Sequence, residues 1–337
     1  MDKFFGPMGR TGDVRLRPYQ QEAVDGVCER VRGGVRRIVV VAATGSGKTT
    51  IAAHIITHTA NRGARTLFMA HRRELIDQAY RRLVQFGVPE AQVGVIMASD
   101  RRYRPGAPVQ VASVDTLRNR AKPLADVVFV DECHRAVSKS IRDISAHYPD
   151  AVHLGLTATP FRANGDGLAD AYDDLLVVAS PQKLIEQGHL VEPRVFTVPN
   201  ESLPDLSGVR TRQGDYDQKA LAEAVDQKAL VGNVVEHWKR HADGVRTVAF
   251  AASVAHSQHI AAEFKRAGVA AEHLDGATAT DERDGILSRL ESGQTRVVSN
   301  CGVLCLAAET EILTMEGWTG IDEMTSKHHV AGWKDGE

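Results

Sequence analysis

One octapeptide limits what this chain can fold into: Ala42-Ala43-Thr44-Gly45-Ser46-Gly47-Lys48-Thr49, set directly after the apolar run 35–42 (VRRIVVVA). A buried strand that enters a glycine-rich turn and then a helix belongs to a parallel sheet covered by helices. The glycines let backbone N–H groups close around an anion, and the following helix aims its positive end at the same place. The turn fits a phosphate-binding loop in which Ala42 replaces the first glycine. In that role Thr44, Gly45, Ser46 and Gly47 line the cradle, Lys48 neutralises the outer phosphates, and the Thr49 hydroxyl holds Mg²⁺. A chance glycine-rich turn is the alternative. The strand before it, the helix after it and the Lys-Thr pair argue against that reading.

The strand theme recurs at 66–70, 109–112, 127–130 and 152–156, each run ending in a polar cluster. An open α/β sheet places its ligand loops at such ends. Val127-Val128-Phe129-Val130 leads into Asp131-Glu132-Cys133-His134. A carboxylate closing a buried strand can reach a Mg²⁺ shell, which suits Asp131. Glu132 points elsewhere and is placed to orient or deprotonate an attacking water. Two acidic residues after a strand can also be a simple helix cap. Downstream of a phosphate loop they read as the second half of an ATP site.

From 191 to 244 the pattern weakens, interrupted by Pro193, Pro199, Pro204, Gly208 and Gly214, with a helix expected near 219–241. A second alternating unit starts at Thr247 and continues through helices at 257–267 and 281–290 and strands at 272–274 and 295–299. The expected division is a nucleotide-binding domain over 1–190, a linker or insertion over 191–244, a partial second domain over 245–304 and a separate segment over 305–337. At 337 residues with a net charge of −2, the chain has no global electrostatic pull toward nucleic acid. Arginines do concentrate at 62–82 and 101–120, where the plainer reading is a solvated helix face. The four cysteines form no CxxC pair, which disfavours a zinc site or a disulfide framework and suits a reducing cytoplasm. No apolar run reaches membrane-span length and no signal-peptide core is present at the start, so no membrane partner is expected.

With these motifs in hand, the chain resembles superfamily 2 helicases of the DExH type, and within them the RadD/YejH-like and restriction-subunit-like translocases. Leu16-Arg17-Pro18-Tyr19-Gln20 looks like the adenine-recognition motif, with Arg17 and Gln20 on the nucleotide and Gln20 bonding the base edge. Residues 69–75 and 111–117 are similar to the two strand-contacting motifs, in which His71, Arg72, Ser113 and Thr116 would grip phosphates without reading sequence. Leu156-Thr157-Ala158-Thr159-Pro160 matches the motif that couples hydrolysis to domain movement through Thr157 and Thr159. His134 would sit near the γ-phosphate and relay to the second domain. Residues 250–256 and His273-Leu274-Asp275-Gly276 look like the opening of that domain. The resemblance implies an α/β, RecA-like parallel sheet with a partial second RecA-like domain. It also implies ATP and Mg²⁺ as cofactors and a nucleic-acid partner, DNA favoured over RNA.

The resemblance breaks after Leu304. Residues 297–304 look like the start of the family's fifth motif, which continues there as Glu-Gly-Trp/Phe-Asp, but here Cys305-Leu306-Ala307-Ala308 follows. The arginine-bearing sixth motif does not appear. Residues 305–337 resemble the N-terminal block of an intein, with a leading Cys-Leu, then Thr310, Ile312 and Thr314 in alternation, and Gly317-Trp318. The Cys305 thiol can attack the Leu304 carbonyl and turn an amide into a thioester. The alternation suits a strand and Glu316-Gly317 a hairpin turn. Two rival readings stay open: Glu316-Gly317-Trp318 as a displaced fifth motif, and an inert extension with Cys305 an ordinary buried thiol. The functional expectation is an ATP-dependent helicase or translocase in precursor form, weakly active until splicing restores its second domain. The alternatives are a non-catalytic half that splices with a C-terminal intein and helicase fragment, and the motor part of a restriction-type translocase.

Overall fold

Strands buried on both faces have no solvent side to carry polar residues, so they read as unbroken apolar runs. The runs of the first half fold in this way. The computed structural model describes residues 2–6, 15–71, 73–135, 139–160, 168–190, 192, 205–212, 215–226, 228–303, 311–314 and 317–320. Two compact units are built mainly on Met1–Arg194 and on Val195–Leu306.

The first unit contains, in chain order, α1 (Pro18–Arg32), β1 (Arg37–Ala42), α2 (Lys48–Ala60), β2 (Thr66–Ala70), α3 (Arg73–Gln85) and β3 (Val93–Ile96). There follow β4 (Val109–Ser113), α4 (Val114–Arg118), β5 (Val127–Asp131), α5 (Lys139–Ser145), β6 (Val152–Thr157), β7 (Asp174–Ala179) and α6 (Pro181–Glu186). The strands form one seven-stranded sheet in the order β3-β4-β2-β5-β6-β1-β7. Every neighbouring pair is parallel. The α/β architecture with a parallel sheet, expected from the motif pattern, is the one observed.

Successive strand residues face opposite sides of the sheet. Ile38, Val40 and Ala42 join a core with Val24 and Val27 of α1, Ile51 and Ile55 of α2 and Ile76 of α3. Val39 and Val41 join the other core, with Leu117 of α4 and Ile141 and Ile144 of α5. Each fully buried aliphatic side chain of this kind stabilises the fold by about 1.5–3 kcal/mol. Helix α1 starts on Pro18, whose fixed φ suits the first helical position, and ends with Arg30 and Arg32 against the negative pole of the helix dipole. A short 3-10 turn, Asp2–Phe4, brings Phe4 and Phe5 into the first core.

The second unit contains β8 (Thr211–Arg212) and β9 (Asp215–Tyr216), an antiparallel pair, then α7 (Gln218–Val225) and α8 (Lys228–His241). It continues with β10 (Thr247–Phe250), α9 (Val254–Arg266), β11 (Ala271–Leu274), α10 (Thr280–Ser292) and β12 (Val297–Asn300). A parallel sheet of order β10-β12-β11 forms its centre. The one helix expected near 219–241 is two. The Asp217 carboxylate caps α7 by accepting from the Ala220 N–H at 3.1 Å, and Asp226 follows its last turn. Helix α8 buries Val235 and Trp238. The Trp238 ring meets Phe264 of α9 edge-on at 5.4 Å, and its Nε1 donates to Thr247 Oγ1 at 2.7 Å. Val235 and Trp238, within the stretch taken from sequence as a linker or insertion, therefore belong to the core of the second unit. Ser257 Oγ lies 2.7 Å from His273 Nδ1 and 2.9 Å from Ser299 Oγ, and His273 Nε2 lies 3.0 Å from the Asp275 carboxylate. Ser257 is fully enclosed. The chain of polar groups therefore ties α9, β11 and β12 together and offers no accessible nucleophile.

A last hairpin pairs β13 (Glu311–Thr314) with β14 (Gly317–Gly320), Thr314 opposite Gly317 and Leu313 opposite Trp318. Ile312 and Thr314 of the expected alternation lie in β13, and Gly317 opens β14, whereas Thr310 and Glu316 lie outside the described residues.

Candidate functional site

All strands of the first sheet run the same way, so their C-terminal ends lie along one edge. The phosphate-loop candidate follows β1, His71 follows β2, Ser113 closes β4, Asp131 closes β5 and Thr157 closes β6. Strand β6 stands between β5 and β1. The Asp131 backbone is thus about 10 Å from the start of the loop, two strand spacings away. A residue 89 positions from Ala42 is brought beside the turn by topology alone.

The loop takes the geometry that its glycines permit. Gly45 and Gly47 have φ of 77° and 85°, in the left-handed region, and Gly47 caps α2. A Cβ on Gly47 would lie 2.6 Å from Gln20 Nε2. Lys48 is buried and its Nζ donates to the Ala42 carbonyl at 3.2 Å. Thr44 and Gly45 are exposed and Thr49 is half-buried at the start of α2.

The loop is clamped from α1. Tyr19 Oη donates to the Ser46 carbonyl at 2.7 Å, and Gln20 Nε2 donates to the same oxygen at 2.8 Å. Gln20 Oε1 accepts from the Arg17 N–H at 3.0 Å, and Arg17 Nη1 donates to Tyr19 Oη at 3.2 Å. Gln20, expected at a base edge, has both ends of its carboxamide turned to protein groups in this structure. Tyr19 was not singled out from sequence, because its partner is a backbone carbonyl 27 residues away.

Asp131 is buried, and its Oδ1 accepts from the Glu132 N–H at 3.2 Å. Glu132 has φ of 53°, a left-handed conformation that a residue with a Cβ adopts at a cost of about 1–2 kcal/mol. That turn carries its side chain away from Asp131 toward His134, whose Nδ1 lies 3.5 Å from Glu132 Oε2. The same Nδ1 lies 3.1 Å from Thr157 Oγ1. The Thr157 hydroxyl donates to the Thr159 carbonyl at 2.8 Å and accepts from the Thr159 N–H at 3.1 Å. With its one proton committed, Thr157 can only accept from His134, which puts the proton on His134 Nδ1. Pairing of β5 with β6 sets Asp131 opposite Leu156, one residue before Thr157. The Asp-Glu-Cys-His and Leu-Thr-Ala-Thr-Pro motifs are therefore neighbours in space.

Beneath this turn Cys133 is fully buried. Burial first, and then the Glu132 carboxylate, pushes its thiol far above the usual range. Gly155 on β6 makes room for it. A Cβ there would lie 2.7 Å from both Cys133 Sγ and the Tyr172 hydroxyl. Ser113 is buried at the end of β4, and Thr116 and His71 are half-buried. Arg72 and Cys305 lie outside the described residues.

A parallel α/β sheet with a glycine-rich anion loop after one strand and an acidic pair two strands away defines a P-loop ATPase type of domain. Residues 13–162 match the family described as Type III restriction enzyme, res subunit, so this stretch is similar to the restriction-subunit kind of helicase domain. A 51.5 kDa protein of Lactococcus phage (isolate 7-9) is 32% identical over 260 residues, covering 77% of this chain and 54% of that protein. IRC3 of Saccharomyces cerevisiae, named as a candidate ATP-dependent helicase, is 29% identical over 308 residues, covering 86% of this chain and 44% of that protein. The chain thus spans about half the length of these curated relatives. Among solved structures, the ATP-dependent Type ISP restriction-modification enzyme LlaBIII bound to DNA aligns with a TM-score of 0.60 and 16% identity. It covers 87% of this chain and 25% of that one, and the likeness bears on the fold alone.

Proposed function

We propose that the chain is the motor portion of an ATP-dependent DNA translocase or helicase. The observation that carries this reading is the single sheet edge that holds the clamped loop 43–49, Asp131-Glu132 and the His134–Thr157 contact together. In this mechanism Lys48 and the loop N–H groups hold the outer phosphates of ATP. Thr49 and Asp131 supply the hard oxygen donors suited to Mg²⁺, which when bound would neutralise charge on the phosphates. Glu132 orients the attacking water and takes up its proton. The Nδ1–H of His134 is held between Glu132 and Thr157, so a change at the phosphates shifts Thr157 and Thr159 and passes along β6. His71, Arg72, Ser113 and Thr116 grip the strand. The restriction-type family match supports DNA over RNA, and it equally supports a restriction-type motor as a second reading.

The second domain enters the proposal as interrupted after Leu304 by an intein N-terminal segment. The Cys305-Leu306 start and the β13–β14 hairpin support this. An arginine contributed across a closed nucleotide site is worth several orders of magnitude in phosphoryl transfer, and the motif that would carry one is not found here. The purified 337-residue chain is expected to bind ATP, lose that binding in Lys48→Ala, and hydrolyse ATP slowly with or without DNA. Brisk DNA-stimulated turnover would sink the interrupted-motor reading. Cys305→Ala should abolish ligation to a C-terminal fragment while sparing ATP binding; ligation that persists would refute the intein.

A further inference from the structure

Two loops of the first unit meet in a basic, aromatic patch that the ATP site does not use. The β3–β4 connection carries Arg101, Tyr103 and Arg104, and the end of α4 with the residues after it carries Arg118, Arg120 and Lys122. The Arg120 guanidinium lies 5.2 Å from the centre of the Tyr103 ring. Tyr103 is 47% exposed, so burial does not account for an aromatic residue there.

Charge is concentrated on the same segment. Residues 98–122 hold six Lys/Arg against two Asp, a net of +4 in a chain of −2, so the remainder carries −6. One of the two acids is consumed locally. Asp100 pairs with Arg102 at 2.6 Å, and Arg102 also reaches Asp77 at 2.5 Å and lies over the Tyr80 ring at 4.7 Å. Arg102 is therefore the structural member of the group. The other acid, Asp115, is exposed in the first turn of α4.

The remaining cations have no ion pair among the described residues, yet several are held in place by neutral acceptors. Arg104 donates to the Val93 carbonyl at 3.2 Å and Lys122 to the Arg118 and Arg120 carbonyls at 3.0 Å each. Arg118 reaches Ser140 Oγ at 3.4 Å. Positioned but uncompensated charges beside an exposed ring match a phosphodiester chain with unstacked bases.

We infer that this patch is a sequence-independent contact for single-stranded nucleic acid, with Tyr103 as a stacking face and Arg101, Arg118 and Arg120 on phosphates. It lies outside the motif residues. Two residues separate Arg118 from Thr116 on α4, about 3 Å of helix rise, so the patch continues the strand path proposed for Ser113 and Thr116. The inference rests on the nucleic-acid reading above.

The test titrates the full chain with a fluorescein-labelled oligothymidine across a salt series. Tyr103→Ala is expected to weaken binding by about fivefold to a hundredfold, with Tyr103→Phe close to the parent. Arg101→Gln with Arg120→Gln should lower the slope of log K against log salt by about 1.4. ATP-analogue binding, measured on the same samples, should be unchanged and reports an intact fold. Photocrosslinking of the unmutated chain to an iodouracil-substituted oligonucleotide should place an adduct on Tyr103 or within the peptide containing it. Failure of the parent chain to bind the oligonucleotide would overturn the nucleic-acid reading itself. Parent-like affinity and salt slope in these variants, or adducts only elsewhere, would overturn the patch alone.

Discussion

The Ser46 carbonyl receives two side-chain donors, and this makes a quantitative prediction about nucleotide affinity. Ser46 is almost fully buried, so its oxygen depends on Tyr19 Oη at 2.7 Å and Gln20 Nε2 at 2.8 Å. Tyr19→Phe removes one donor and leaves the other, a loss of about 0.5–1.5 kcal/mol, because the carbonyl remains satisfied. Gln20→Ala likewise leaves Tyr19 in place, but it also removes the acceptor for the Arg17 N–H at 3.0 Å, so it falls at the upper end of that range. The double variant strands a buried carbonyl, which costs about 1–3 kcal/mol on its own account. The two changes should therefore be more than additive by at least about 0.5 kcal/mol, outside the roughly 0.3–0.5 kcal/mol scatter of independent sites. The assay is a double-mutant cycle on Kd for a fluorescent ATP analogue, where 1.4 kcal/mol is tenfold, with a denaturation curve for each variant. Additive changes would show that the two residues do not share Ser46 in solution, and the clamp would be wrong.

Three other outcomes are expected. Burial first, and then the Arg62 and His54 charges, hold His58 down to about 4, below its unfolded value of about 6.5. The unfolded chain therefore takes up a proton across that window that the fold refuses. Stability is complete above about pH 6.5 and falls as pH drops toward about 4. In urea titrations His58→Gln should flatten this slope by up to one proton, leaving the contributions of His54, His153 and His256, which burial also holds down; an unchanged slope would refute the assignment. Burial raises the Cys28 thiol to about 11 and Cys133 further, so native alkylation near neutral pH should spare both and unfolding should expose them. Rapid native modification of Cys133, mapped by mass spectrometry, would contradict its placement. Gly155→Ala forces a Cβ against Cys133 and Tyr172 and should destabilise the first unit by about 1–3 kcal/mol, with partial recovery on adding Cys133→Ala. An unchanged melting curve would mean that the pocket is looser than described.

The first sheet was legible because parallel strands buried on both faces leave little choice of residue. The runs at 66–70, 127–130 and 152–156 lie within or coincide with β2, β5 and β6. Strand β7 at one edge, with Leu175 and Val177 exposed, lacks that pressure; β3 at the other edge is buried but only four residues long, and neither was singled out. The motif spacing also placed the loop, Asp131-Glu132 and Thr157 correctly at strand ends. Side-chain partners were another matter. The destination of the Gln20 amide depends on a carbonyl 26 positions away, and the Tyr103–Arg120 contact depends on how two loops cross. The arginines of 101–120 read as a solvated helix face because periodicity records neighbours along a helix and not across loops. The break between α7 and α8 was hidden because Asp226-Gln227 carries neither glycine nor proline.

The left-handed turn at Glu132 sets fold and chemistry against each other in any directed-evolution experiment. Glycine relieves that backbone strain at once, since it lacks the Cβ that creates it. A library ranked only by heat resistance should therefore be enriched in Glu132→Gly, yielding hardier proteins without the proposed water-orienting carboxylate. Persistence of glutamate under such a screen would signal that its side-chain contacts outweigh the strain. Its loss would show that only selection for turnover keeps an unfavourable residue at that corner of the sheet.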